Sequence, residues 1–267
     1  MLMTHKFLIF FLLTILSLEA QNFSLSVFPE EKLYEKYYAD AISHQFSLNK
    51  HLESNQWFGN IGSELALFNI SYSDITAQIS AGATVFNTLI KTPGHIQVFT
   101  VDYLVDFYGD IEIAENFFSR FIWGHLSAHF SDDGITQLNY LPVSYVRDYM
   151  GLHFQRKIPE KNIKLYIGGF WNFHNEPKTK KHFTFQFGGD YAYEIMNDVA
   201  IFSAIDIKYK SEVEFATTQS YQLGIMFPFN RDTRFRIAYT HREGFEERGQ
   251  LFNKKDNKNM LGFYIDF

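Results

Sequence analysis

The sequence predicts an all-β protein, a transmembrane antiparallel β-barrel of about twelve strands, with a range of roughly ten to fourteen. Three observations predict it: an apolar leader, repeated segments of period-two alternation, and an aromatic-rich composition without cysteine.

The leader comes first. Lys6 supplies positive charge, residues 7–18 are mostly apolar, and Ala20 offers a small residue for cleavage, although Leu18 occupies the −3 position. Twelve residues span about 18 Å as a helix, short of a hydrocarbon core about 30 Å thick. The expected division is therefore a signal peptide over 1–20, an N-terminal periplasmic segment over 21–41 and the barrel over 42–267. No later stretch reaches 18 consecutive apolar residues, so any further crossing must use strands. The absence of Cys excludes a disulfide framework and a lipid anchor. A net charge of −6 argues against nucleic acid as a partner, and no cofactor is expected. Phe 30 and Tyr 16 among 267 residues suit a barrel that turns aromatics outward to lipid.

The alternation justifies the strands. In 164–174, Leu165, Ile167, Gly169, Trp171 and Phe173 share one face, leaving Lys164, Tyr166, Asn172 and His174 on the other. In 183–194, Phe183, Phe185, Phe187 and Tyr191 oppose Thr184, Gln186, Asp190 and Glu194. Twelve such segments are expected near 42–50, 61–70, 75–86, 97–107, 117–130, 144–155, 163–174, 183–194, 199–210, 215–227, 234–242 and 260–267. Short connections (71–74, 159–162, 196–198, 229–232) alternate with longer ones (88–95, 131–142, 175–182, 243–259). That pattern puts short turns in the periplasm and long loops outside; 108–116 is the one link too long for its side. The chain ends MLGFYIDF, alternating Leu261, Phe263, Ile265 and Phe267. An aromatic last residue resembles the assembly signal of bacterial outer-membrane barrels. It implies the bacterial outer membrane as location, with its lipid and the barrel-assembly machinery as partners.

Five stretches carry a family resemblance: HLSAHFSDD (125–133), NYLPVSYVRD (139–148), FHNEP (173–177), DIKYKSEVE (206–214) and EGFEERGQLF (243–252). Over roughly 40–267 the chain resembles the bacterial outer-membrane proteins of the domain-of-unknown-function family 1207, which implies a barrel and no particular reaction. Gln250, Leu251, Phe252 departs from the family's Gln-aromatic step by one apolar residue.

One constellation carries chemistry. Reading Ile122, Gly124, Leu126, Ala128 and Phe130 as the lipid face turns Trp123, His125, Ser127 and His129 into the lumen. His125 and Ser127, about 6.5–7 Å apart along a strand, supply a base beside a hydroxyl. The H-x-S element is similar to that of two outer-membrane lipid hydrolases, the phospholipase A and the lipid A deacylase. That similarity implies His125 and Ser127 as catalytic residues, with Asn139 or Asp148 orienting the imidazole. Two departures stand against it: those enzymes turn the pair to lipid, and Ala128 replaces the Asn that follows the Ser in the phospholipase pattern. No metal is expected, because His125 and His129 lie about 13 Å apart on one strand.

The preferred alternative is a polar cluster filling the lumen, with His129, Asp132, Arg147, Asp206, Lys208 and Arg236 as members. Mixed signs imply mutual pairing and a narrow or filled lumen. The functional expectation is thus an outer-membrane barrel of unassigned activity, against a lipid-ester hydrolase, a narrow channel or a surface-exposed adhesin. Residues 29–41 (PEEKLYEKYYADA) read as a solvated helix in preference to a plug.

Overall fold

The computed structural model describes residues 23–267 apart from Asp74, 139–140 and 229–232. The leader 1–20, Asn139 and the 229–232 turn lie outside the described residues. Thirteen strands appear among them: β1 (Phe23–Val27), β2 (Phe46–His51), β3 (Gln56–Tyr72), β4 (Ile75–Thr92), β5 (His95–Ala114), β6 (Phe117–Phe130) and β7 (Tyr145–Ile158) are followed by β8 (Ile163–Glu176), β9 (Phe183–Met196), β10 (Val199–Lys210), β11 (Ala216–Pro228), β12 (Arg234–Phe245) and β13 (Lys255–Asp266). Strands β2 to β13 pair with their sequence neighbours, and β13 closes onto β2 through pairs such as Phe263 with Leu48. The result is a closed twelve-stranded antiparallel barrel. β1 is an addition the alternation did not reveal; it pairs with Phe68–Tyr72, beyond the reach of short β2.

Period two accounts for the wall. Leu165, Ile167, Phe183, Phe185, Leu261 and Phe263 are exposed on the outside, while Tyr166, Gln186, Tyr264 and Asp266 are buried within. The long link 108–116 dissolves into strand: β5 continues to Ala114 because Tyr108 and Asp110 keep facing inward. A two-residue turn follows, with Asn116 at φ 58°. Likewise β4 runs to Thr92, and Gly94 at φ 89° makes the tight turn into β5. One end of the barrel therefore carries short turns and the C-terminus. The other carries most of the longer loops, including the helix α1 (Asp132–Leu138).

The lumen is filled from both ends. Residues 29–45 form no helix, and from Tyr34 onward they are largely buried, which corrects the expectation of a solvated helix over 29–41. They enter at the turn end, with Tyr34, Tyr37, Asp40 and His44 buried. Tyr37 stacks on Tyr166 at 3.5 Å, and Asp40 meets Lys208 at 2.5 Å. His44 bridges Thr84 (2.8 Å) and Asp106 (3.0 Å). From the loop end, 246–250 fold inward: Glu246 pairs with Lys258, Arg248 donates to Asn60 at 2.9 Å, and the Gly249 amide donates to Asp102 at 2.8 Å. A filled lumen explains how buried charges survive, since each finds a partner in low dielectric. Inward glycines make room for these groups: a Cβ on Gly82 would sit 2.2 Å from the His44 ring.

Candidate functional site on the outer wall

The orientation of β6 decides the site, and it is opposite to the sequence expectation. Arg120 is buried between Asp110 (2.7 Å) and Glu64 (2.6 Å), so even-numbered residues of β6 face the lumen. Ile122, Leu126 and Ala128 accordingly pack with Tyr145 and Tyr149 inside the barrel. Gly124 lies so close to Tyr149 that a Cβ there would be 2.4 Å from the ring. Trp123, His125, Ser127 and His129 face outward instead; Trp123 is 53% exposed.

The strand register then sets three rows across the outer wall. Nearest the turn end, Phe107, Trp123, Met150, Trp171 and Phe183 are mutual neighbours on five strands. One step toward the loop end lie His125, Asp148 and His174; the next row holds Tyr103, Ser127, Val146 and Glu176. His125 Nδ1 lies 2.6 Å from Asp148 Oδ1, and His174 Nδ1 lies 2.7 Å from Asp148 Oδ2. The side chains are 47%, 28% and 50% exposed for His125, Asp148 and His174. This chain of three groups sits beside an aromatic row, the arrangement that marks the edge of a membrane-facing band.

Ser127 shares the face of His125, two residues nearer the loop end. Its hydroxyl has no hydrogen-bond partner among the described residues. With Nδ1 occupied by Asp148, His125 presents Nε2 to its surroundings, which is the nitrogen a serine-activating base requires. Asn139 lies outside the described residues; of the two candidates, Asp148 is the one in contact with the His125 ring. The sequence expectation missed His174 altogether. Simple alternation from Lys164 put it inward, but β8 bulges opposite Asp148 and Tyr149, skipping Phe173, so that His174 turns out with it. A β-bulge has no marker in the residue pattern here.

The proposed lumen cluster divides. Arg147 meets Glu212 at 2.7 Å, Asp206 accepts from Tyr166 at 2.9 Å, Lys208 meets Asp40, and Arg236 meets Asp266 at 2.6 Å; all four lie inside. His129 and Asp132 do not. His129 is outside with β6, ring to ring with Tyr103 at 5.9 Å, and Asp132 is exposed at the start of α1.

A closed antiparallel barrel with an apolar aromatic exterior and a polar, packed interior defines the outer-membrane barrel class of fold. Residues 15–267 match the model of the family described as "protein of unknown function (DUF1207)", and the chain belongs to that family. Among solved structures it resembles the outer membrane phospholipase A from Escherichia coli, with 10% identity and a TM-score of 0.51 over 83% of this chain and 95% of that one. The Salmonella typhi outer membrane phospholipase dimer with bound calcium gives 10% identity and 0.51 over 88% and 94%. KdgM porin gives 8% identity and 0.46 over 84% and 98%. At such identities the likeness is one of fold. A comparison with curated proteins finds no match.

Proposed function

We propose that this protein resides in the bacterial outer membrane and hydrolyses lipid esters on the outside of its barrel wall, not through its lumen. The observation that carries the reading is His125 held by Asp148 at 2.6 Å on the exposed face, with Ser127 two residues along the same strand. The loop end then faces the exterior, which brings outer-leaflet lipid to the site. Ser127 Oγ attacks the ester carbonyl carbon and its proton passes to His125 Nε2. Collapse of the tetrahedral intermediate breaks the ester bond, and the departing alcohol takes that proton. Water, activated by the same nitrogen, then releases the fatty acid from Ser127. Asp148 stays ionised throughout and keeps the ring oriented. The two segments inserted in the lumen support a site on the wall, and the outer membrane phospholipase A shares the barrel fold.

Ser127→Ala is expected to abolish fatty-acid release from phospholipid micelles while leaving heat-modifiable gel mobility intact. A wild-type protein that releases none with or without divalent cations contradicts the reading. The terminal strand is the proposed handle for the barrel-assembly machinery. Deleting Phe267 is expected to lower the amount of folded protein in the membrane, and unchanged assembly removes that role.

A further inference from the structure

Asp148 holds two imidazoles, and hydrolysis uses only one. With both Nδ1 atoms engaged by the carboxylate, each ring turns its Nε2 away from Asp148. In the proposed hydrolysis that of His125 serves Ser127. That of His174 has no task in the reaction, yet it stands on an outer face where a polar ring without a role is a cost.

Distance, charge and level say what meets it. His125 and His174 sit on strands either side of β7, their backbones about 10 Å apart at about 4.8 Å per strand, while both Nδ1 atoms converge on Asp148. Ser127 lies on the strand of His125, so His174, on the far side of Asp148, suits a second group of the same molecule. The loop 177–182 that follows His174 carries Lys178, Lys180 and Lys181. Lys181 pairs with Glu214, while Lys178 and Lys180 are exposed. The neighbouring aromatic row puts the site at headgroup level.

We propose that His174 Nε2 binds the phosphate of a phospholipid headgroup, so that the substrate class is the phosphate-bearing glycerolipids. The glycerol carbons separate that phosphate from the scissile ester, as Asp148 separates the two histidines. The ring then lies between two anions, Asp148 at Nδ1 and the phosphate at Nε2. Lys178 and Lys180 add attraction for the anionic headgroup. The ester part of this assignment rests on the hydrolase reading; the phosphate contact is separable from it.

The test compares fatty-acid release from phosphatidylglycerol with release from diacylglycerol of the same chains, in maltoside micelles. It also measures binding of short-chain phosphatidylglycerol to Ser127→Ala protein, with and without His174→Ala. Loss of a charge-assisted hydrogen bond is expected to raise KM for phosphatidylglycerol, and to weaken binding, by roughly tenfold or more. The loss on phosphatidylglycerol is expected to exceed any loss on diacylglycerol, and His174→Gln to restore part of the affinity. Equal losses on both lipids, or binding indifferent to His174, overturn the phosphate contact. Wild-type protein that binds through His174 but releases no fatty acid sinks the hydrolase reading alone. Gel mobility of each variant reports an intact barrel, since His174 lies outside the packed lumen.

Discussion

Two carboxylates in this chain meet their partners in opposite surroundings. Asp148 lies on the outer wall, where a charge near lipid is retained only at a cost, and both of its oxygens are spent on imidazoles. Glu35 lies in the inserted N-terminal segment near the turn end, 2.9 Å from Lys157 and 3.6 Å from Lys164. Burial pushes the Glu35 carboxyl up, but the two ammonium groups outweigh it and hold it down at about 2. A depressed carboxyl contributes stability that is complete above its ordinary value near 4.5 and is lost as pH falls toward 2. Glu35→Gln is therefore expected to lower the unfolding midpoint in detergent at pH 6 and to match wild type near pH 2. A difference independent of pH would show that the ion pairs contribute nothing. Single residues also explain what was legible beforehand. His125, Ser127 and Asp148 stand out by type and spacing, but the apolar residues of β6 point to the wrong face. Arg120, which needs partners inside, was the better marker of direction. Apolar residues on β6 point inward because the filled lumen has a partly aromatic interior.

At the scale of elements, the two inserted segments meet at one ammonium group. Lys208 on β10 lies 2.5 Å from Asp40, from the turn-end segment, and 3.5 Å from Glu247, from the loop-end segment. Asp206 stands 3.8 Å away on the same strand. Lys208→Met removes the shared cation and leaves Asp40 and Asp206 without it, while Glu247 keeps Lys210 at 3.1 Å, a loss of about 3–5 kcal/mol for a broken buried pair. The expected result is a lower unfolding midpoint, with small conductance steps in planar bilayers that wild type lacks. An unchanged midpoint and a silent bilayer would mean that the segments are anchored elsewhere. The strands themselves were legible, because twelve alternating segments coincide with β2 to β13. The inserted segments were not. Residues 29–45 follow an irregular path whose side chains answer to the lumen wall, so no period of 2 or 3.6 records their burial. β1 escaped because its pairing depends on β2 being too short to cover β3.

For the whole molecule, closure and filling divide the labour between wall and lumen. The interior is committed to ion pairs and aromatic packing that hold both inserted segments. The exterior is largely apolar, interrupted by polar groups that include His125, Ser127, His129, Asp148 and His174. Closure without disulfides, an alternating exterior and a polar interior all followed from composition and period. Which polar groups lay outside depended on strand orientation and on one bulge. The central claim is that Ser127 is a nucleophile reached from the lipid side. The measurement that tests it most directly is covalent labelling of the folded protein by a fluorophosphonate with an alkyl tail, with the modified residue located by mass spectrometry. The account expects one adduct, on Ser127, forming roughly 10²–10⁴-fold more slowly after Asp148→Asn, since a misoriented imidazole is a poor base. An unlabelled Ser127, or labelling at an unchanged rate in Asp148→Asn, would contradict it.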